Sequence, residues 1–210
     1  FSGEYLVAAK TAVVSPVNMN ILYLEVDNPL ICSVPGYTAG EISAVINNGK
    51  ISVTKKSLGE YSARPSKKGK ALVSLYANVD GKRTKMGDME FRVKPVPPPK
   101  AELLGSKSVN GTTVIDKMMM VNAGGILAKL KDFDFKGVRY MITSFRLTGV
   151  YKGEQMKEET NGPQFSSKML NIIKNIKSGN TITISNIQAK RVDYKNSTEI
   201  PLDPLVIEIK

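Results

Sequence analysis

The sequence has 210 residues, a formal net charge of +11, one cysteine and no histidine. This length suits one large domain or two of ordinary size. Without histidine the chain lacks the commonest general base and the usual imidazole metal ligand, and a single cysteine excludes an intrachain disulfide. No apolar run approaches the roughly 20 residues that span a bilayer.

The positive charge is spread evenly along the chain. Thirteen basic and eight acidic residues precede the proline-rich stretch at 95–99, and 17 and 11 follow it. The two parts therefore carry net charges of +5 and +6. A nucleic-acid module concentrates its charge on one stripe and interleaves stacking aromatic residues. The even spread therefore argues against a nucleic-acid partner, and Lys67-Lys68-Gly69-Lys70 is interpreted as a solvated turn. The positive charge is compatible with acidic protein surfaces or anionic lipids as neighbours.

The first residues predict an early strand and a turn. Residues 4–14 are compatible with either a helix or a strand, and Ser15-Pro16 ends that element. Residues 19–26 are apolar on both alternating faces, which predicts a strand covered from both sides. Asp27-Asn28-Pro29 is predicted to form a turn, because Asp and Asn bond their own backbone and Pro presets φ. The apolar strand that follows places Cys32 in a core, as an inert thiol rather than a reactive one.

Turn signals then space out further short strands. Asn47-Asn48-Gly49 predicts a tight hairpin between strands at 41–46 and 50–54, and Asp80-Gly81 predicts a two-residue hairpin after a strand at 71–77. Beyond that hairpin, Met86 is even-numbered, whereas Met89 and the apolar residues that follow are odd-numbered. One extra residue must therefore be absorbed for all of them to face the same core, and a β-bulge is predicted at Gly87-Asp88. Seven or so short strands at regular spacing indicate an antiparallel sandwich.

The proline-rich stretch divides the chain. Prolines cannot donate to a ladder and favour a stiff, extended chain, so residues 95–99 are interpreted as a semi-rigid spacer rather than as a proline-rich ligand. The predicted organisation is an immunoglobulin-like β-sandwich domain at 1–94, a linker at 95–99 and a β-rich domain at 100–210.

The second part predicts strands around one helix. Asp116 is expected to cap a short helical turn that holds Met118, Met119 and Met120. Three adjacent methionines cannot share one face, so at least one is expected to be exposed or packed on another body, although core filling is favoured. Ser166 or Ser167 caps the convincing helix, Gly179 closes it, and its apolar residues follow the spacing of one buried stripe. Those residues are Met169, Ile172, Ile173 and Ile176, and strands are predicted at 101–104, 126–130, 140–151, 181–190 and 205–209.

The sequence carries no recognisable catalytic, cofactor or metal site. The glycine-rich stretch around Gly124-Gly125 lacks the layouts that cradle phosphates. Asp132 and Asp134 share a strand face, but two carboxylates without further oxygen ligands form no calcium site. Glu158-Glu159 is interpreted as a solvated loop. We therefore expect a non-enzymatic protein of mainly β fold, built from two tandem immunoglobulin-like β-sandwich domains, the second with one short α-helix packed on its sheet.

The succession of motifs resembles the GldM/PorM proteins of the Bacteroidetes type IX secretion and gliding machinery. The first part carries VSPVNMNILYLEVDNP and SVPG. After the proline linker come AGGILAKLKDFDF, YMITSFRLTGVYKG, SSKMLNIIKNIKSG and the closing ITISNIQAKR and LVIEIK. Order and spacing are similar to the last two periplasmic domains of that family.

This resemblance implies a mechanical role. Members of the family are homodimers anchored in the inner membrane by an N-terminal helix, which joins a motor partner of the PorL or GldL type. Their periplasmic shaft reaches a ring of lipoprotein and partner protein, of the PorK/PorN or GldK/GldN type, under the outer membrane. The chain is then expected to be the distal, periplasmic part of that shaft, without the anchor, and the family supplies no functional residue that can be assigned by position.

Two loops of the second domain are the candidate docking sites. They are Tyr151-Lys152-Gly153 and Tyr194-Lys195-Asn196, with the tyrosines and lysines as the expected contact residues. The alternative interpretation is a tandem immunoglobulin-like adhesin or carbohydrate-binding module. Such modules usually present aromatic platforms, whereas tryptophan is absent here.

Overall fold

The computed structural model describes residues 19–103, 108–109, 112–133, 135, 137–151 and 153–210. Predictions for residues 4–14, for Ser15-Pro16 and for Asp134 lie outside these ranges. The chain separates into two compact units, the first ending at Pro95 and the second beginning at Val96. Residues 95–99 adopt neither helix nor strand. The predicted mainly β fold is confirmed.

Two sheets form the first unit. Within the described residues its strands are β1 (Ile21–Tyr23), β2 (Asn28–Ile31), β3 (Ile42–Ile46), β4 (Lys50–Lys55), β5 (Glu60–Arg64), β6 (Gly69–Val79) and β7 (Lys82–Lys94). One sheet has the order β1-β7-β6-β3 and the other β2-β5-β4. Their apolar residues, from both sheets, form one core: Leu22, Ile46, Ala63, Ala71, Val73, Phe91 and Val93.

The first strand is shorter than its apolar run predicts. β1 ends at Tyr23, and Glu25 has a φ of 53°, which breaks the extended backbone. Leu22 is buried, but Met19 is 73% exposed, so this segment is not covered from both sides. The turn therefore lies at 24–26, before the predicted Asp27-Asn28-Pro29, and Asn28 already belongs to β2.

Asn47-Asn48-Gly49 connects two sheets instead of closing a hairpin. β3 pairs with β6, whereas β4 pairs with β5 in the other sheet. The Asn47 side chain accepts a hydrogen bond from the Leu72 N–H at 2.8 Å, which ties the corner to β6. Gly49 has a φ of 110°, and a Cβ there would lie 2.2 Å from the Arg64 carbonyl oxygen. The positive φ of Gly49 was predicted correctly. However, side-chain hydrogen bonds to β6 direct the chain from one sheet of the sandwich into the other.

The second predicted hairpin is confirmed. Val79 pairs with Lys82, and Asp80 and Gly81 both have positive φ, as a two-residue primed turn requires. The irregularity in β7 lies one residue earlier than predicted, because Lys85 faces Tyr76 and Gly87 faces Leu75, which leaves Met86 as the extra residue.

The second unit is built on one large sheet. Among the described residues its strands are β8 (Lys100–Leu103), β9 (Ser108–Val109), β10 (Thr112–Ile115), β11 (Ile126–Lys129), β12 (Tyr140–Tyr151), β13 (Glu154–Asn161), β14 (Thr181–Arg191), β15 (Glu199–Leu202) and β16 (Leu205–Ile209), and its helices are α1 (Lys117–Ala123) and α2 (Ser167–Asn175). The large sheet has the order β13-β12-β14-β16-β10-β9, with β15 also on β14, while β8 pairs with β11.

The predicted helix packs on this sheet. Ser166 caps α2 by accepting a hydrogen bond from the Met169 N–H. The predicted apolar stripe is buried, and Gly149 of β12 lets the helix approach, since a Cβ there would lie 3.3 Å from Ile172 Cγ2. α2 ends at Asn175, with Ile176 as its C-cap, so the predicted closing residue Gly179 lies beyond the helix.

Other parts of this unit differ from expectation. Glu158-Glu159 lies on β13 and not in a loop. Apart from Met156, the residues of this strand are polar on both faces, so hydropathy alternation does not reveal it. By contrast, the predicted short helical segment after Asp116 is confirmed as α1, whose Met118 and Met119 N–H groups donate to the Asp116 carboxylate.

Candidate interaction surfaces

The described residues hold neither a metal-ligand cluster nor an activated thiol. No group of three or more Cys, Asp or Glu side chains in these ranges is placed to hold a metal ion. Cys32 is buried, and burial raises the pKa of its thiol. A thiol held protonated in this way is a poor nucleophile.

The first predicted docking loop follows β12. Tyr151 ends that strand and is half-buried, and Gly153 has a φ of 84° that opens the turn into β13. Lys152 lies outside the described residues. A shallow cavity of about 350 Å³ adjoins the turn, lined by Val150, Tyr151, Gly153, Asn175, Lys177 and Asn180.

The second predicted loop follows β14 and is held by a buried ion pair. The Arg191 guanidinium is 2.6 Å from the Asp193 carboxylate, and their side chains are only 7% and 17% exposed. Arg191 also lies over the Tyr194 ring, 5.6 Å from its centroid. The Ser197 hydroxyl accepts a hydrogen bond from the Arg191 N–H, which closes the turn that presents Lys195.

This pair sets the titration of its own carboxyl group. Burial acts to raise the pKa of Asp193, but hydrogen bonds from the Arg191 side chain and the Arg139 backbone N–H outweigh it and lower the pKa. Desolvation raises the pKa of the neighbouring Tyr140 hydroxyl. Asp193 is therefore held as a carboxylate and Tyr140 as a neutral phenol at neutral pH.

The two predicted loops lie far apart. Tyr140 faces Arg191 at the start of β12, whereas Tyr151 faces Glu154 at its end. The 11 residue-to-residue steps from Tyr140 to Tyr151 span roughly 35 Å at the usual rise of a strand. Tyr151 and Tyr194 therefore cannot belong to one compact site.

An apolar patch beside Tyr194 was not predicted from the sequence. Met141 faces Lys190, and the Val192 N–H donates to the Arg139 carbonyl oxygen at 2.9 Å. Alternation therefore places all four side chains on one face, with Met141 50% and Val192 48% exposed. We name Arg139, Met141, Lys190 and Val192 the Met141 patch. The sequence held one signal for this patch. Met141 is next to Ile142 on a strand, so its side chain points to the face opposite that of the buried Ile142.

The methionines of α1 divide as their spacing requires. Met120 is fully buried, while Met118 and Met119 are 62% and 53% exposed. The expectation that at least one of them is exposed is thus confirmed, and core filling holds for Met120 alone.

Comparison with known families accounts for nearly the whole chain. Residues 11–94 match the model of the GldM third domain, and residues 95–210 match the model of the GldM C-terminal domain. The chain belongs to the GldM family. These domains mark a component of the gliding motility and type IX secretion machinery, a structural and secretion family and not a known enzyme family.

Comparisons of this GldM family member with curated proteins and with solved structures add little about its function. None of the curated proteins matches it. A solved structure of the Yersinia pseudotuberculosis adhesin InvE is similar at 15% identity over 89% of this chain, which spans 57% of the adhesin chain. Its TM-score of 0.26 is too low to carry an argument. In the described ranges, no helix is long and apolar enough to cross a membrane.

Proposed function

We propose that this chain is the distal part of a periplasmic shaft that links an inner-membrane, proton-driven motor to the ring under the outer membrane. The observation that carries the proposal is the consecutive match to two GldM domains over residues 11–210. The shaft is a homodimer in a bacterium of the Bacteroidetes. An N-terminal helix outside this sequence anchors it and joins the PorL- or GldL-type motor protein.

The proposed mechanism is mechanical. Each unit has its own packed core, so each can move as a body without repacking. The Pro-Val-Pro-Pro-Pro segment between them favours an extended, stiff chain. Such a spacer passes a displacement of one unit to the next, whereas a flexible spacer absorbs it. The shaft needs no catalytic group for this task.

Co-purification with the ring is the primary test. The 210-residue chain, immobilised at physiological salt, should capture the isolated PorK/PorN- or GldK/GldN-type ring. Capture at neither low nor physiological salt overturns the proposed link to the ring.

The role of the spacer is tested in the full-length protein. Replacing residues 95–99 by a Gly-Ser segment of equal length should abolish secretion while the protein still accumulates and binds the ring. In the matched control, a Gly-Ser segment is placed at the exposed Lys67-Lys68 turn instead. Cells that carry this variant should secrete normally. Wild-type secretion by the linker variant would contradict mechanical transmission through the spacer.

A further inference from the structure

The Met141 patch is a continuous surface and not a set of scattered side chains. Directly opposed residues on neighbouring antiparallel strands have Cβ atoms about 5 Å apart, and diagonal neighbours are within about 7–8 Å. Met141 and Val192 are diagonal neighbours at the end of β12 and β14, so the long Met141 side chain lies within reach of Val192 on the same face. Glu199 of β15 faces Lys190 and extends the same surface.

Two exposed cations, Arg139 and Lys190, belong to this patch, and a third, Lys195, is exposed in the turn that follows Val192. None of the three is within 4 Å of a carboxylate oxygen of a described residue. Glu199 lies opposite Lys190 on β15, whereas Asp193, next to Val192, is engaged by Arg191. The surface thus has an apolar centre and a rim with a net charge of about +2 from three cations and one carboxylate.

The buried pair beneath gives the surface a fixed shape. Arg191 and Tyr140 face the opposite side of the sheet from Met141 and Val192, and Arg191 binds Asp193 at the start of the following loop. The Arg139 N–H donates to Asp193 Oδ1 at 3.0 Å, so both strands that carry the patch are tied to the same carboxylate. A rigid surface loses little conformational entropy when a partner docks.

We propose that the Met141 patch docks a polypeptide surface that presents an apolar side chain ringed by carboxylates. This inference rests on the proposed function, which supplies the ring as the partner. Charge complementarity selects the acidic rim, and the exposed Met-Val pair selects the apolar centre. The inference also chooses between the two predicted loops, since it places docking at the Tyr194 end of the sheet and not at the Tyr151 end.

Surface binding of the 210-residue chain to the isolated ring tests this assignment. Lys190→Glu and Met141→Ser alter the rim and the centre of the patch. Lys177→Glu and Val150→Ser make the same chemical changes beside Tyr151, at residues that are also exposed. All four variants are first checked for wild-type urea midpoints.

The expected result is a Kd about tenfold higher for each patch variant and unchanged for both controls. Lys190→Glu should also lower the association rate and flatten its salt dependence. Wild-type affinity in the patch variants overturns the patch while leaving the ring link intact. Loss of binding in the Tyr151-end controls alone assigns docking to that end and likewise overturns it. Failure of the wild-type chain to bind overturns both proposals.

A vesicle arm separates a protein partner from a membrane. Co-sedimentation with phosphatidylglycerol vesicles should be weak and equal for Lys190→Glu and Lys177→Glu, because both replace one cation by one carboxylate on an evenly charged chain. Vesicle binding lost only in Lys190→Glu would assign the patch to anionic lipid and overturn the polypeptide assignment.

Discussion

At the scale of single residues, Asn28 organises the start of the first unit. Its side chain is 2% exposed and accepts a hydrogen bond from the Tyr23 N–H at 2.7 Å. Its amide nitrogen lies within hydrogen-bond distance of the carbonyl oxygens of Tyr23, Val26 and Ala63. One amide thus satisfies buried backbone groups from β1, from the turn and from β5.

Asn28→Ala should therefore lower the free energy of unfolding of the first unit by about 2–3 kcal/mol, since it leaves buried backbone groups without partners. Urea denaturation measures the change. Asn78→Ala, at an exposed position on β6, is the matched control and should change the midpoint little. Equal effects of the two substitutions would show that the Asn28 bonds do not determine the stability.

The Arg191–Asp193 pair makes the second unit sensitive to acid. The pKa of Asp193 is lowered in the folded protein, so the carboxylate stabilises the fold above its unfolded pKa of about 4. This contribution is lost as pH falls through the lower, folded pKa.

The urea midpoint of the second unit should therefore drop in the wild type as the pH falls below about 4, toward the lowered pKa of folded Asp193. It should drop less in Asp193→Asn, which starts from a lower midpoint at pH 7. Asp203→Asn, at an exposed position, serves as the control and should follow the wild type. A wild-type slope in Asp193→Asn would assign the acid sensitivity to other carboxyl groups.

At the scale of elements, the contact between α2 and β12 depends on a missing side chain. Gly149 faces Ile172, Ile176 and Ile182 at 3.3–3.6 Å from the position of a Cβ. Gly149→Val should destabilise the second unit by about 1–3 kcal/mol, because the added methyl groups overpack this layer. Chemical denaturation followed by circular dichroism gives the value. Thr148→Val, one residue away and facing the other side of the sheet, should cost less than half as much.

The elements also show which features a sequence can reveal. The α2 stripe, the Asp80-Gly81 hairpin and the bounds of β12 and β16 follow from local periodicity and turn chemistry, and these predictions are confirmed. The Asn47 corner and the early end of β1 depend on bonds to residues distant in sequence. β13 pairs along β12 through polar residues, for which period-two hydropathy gives no signal.

The candidate site shows the same division. Tyr194 was proposed as a docking residue from its place in a loop, and this stays a prediction, whereas the Met141 patch exists only because β12 and β14 align Met141 with Lys190. Register between strands separated by a helix and a further strand is a tertiary property. No local pattern at Arg139 or Val192 indicates it.

At the scale of the whole molecule, two separate cores predict separate unfolding. Leu22 and Phe91 belong to the core of the first unit, whereas Ile173 and Ile207 belong to that of the second. Asn28→Ala should lower one calorimetric transition and Gly149→Val the other, and the double variant should show the sum of the two changes. A single transition that both substitutions lower would contradict independent units.

The pairing of β1 with β7 has a consequence for a chain under tension. β1 opens the described part of the first unit and β7 closes the unit, and the two run parallel with Ile21 opposite Arg92 and Tyr23 opposite Lys94. A pull on the two ends slides these strands past each other along their length. Their ladder bonds are then loaded together in shear, and the strands do not peel apart one bond at a time. The described part of the first unit, from Ile21 to Lys94, therefore resists extension through a ladder loaded in shear.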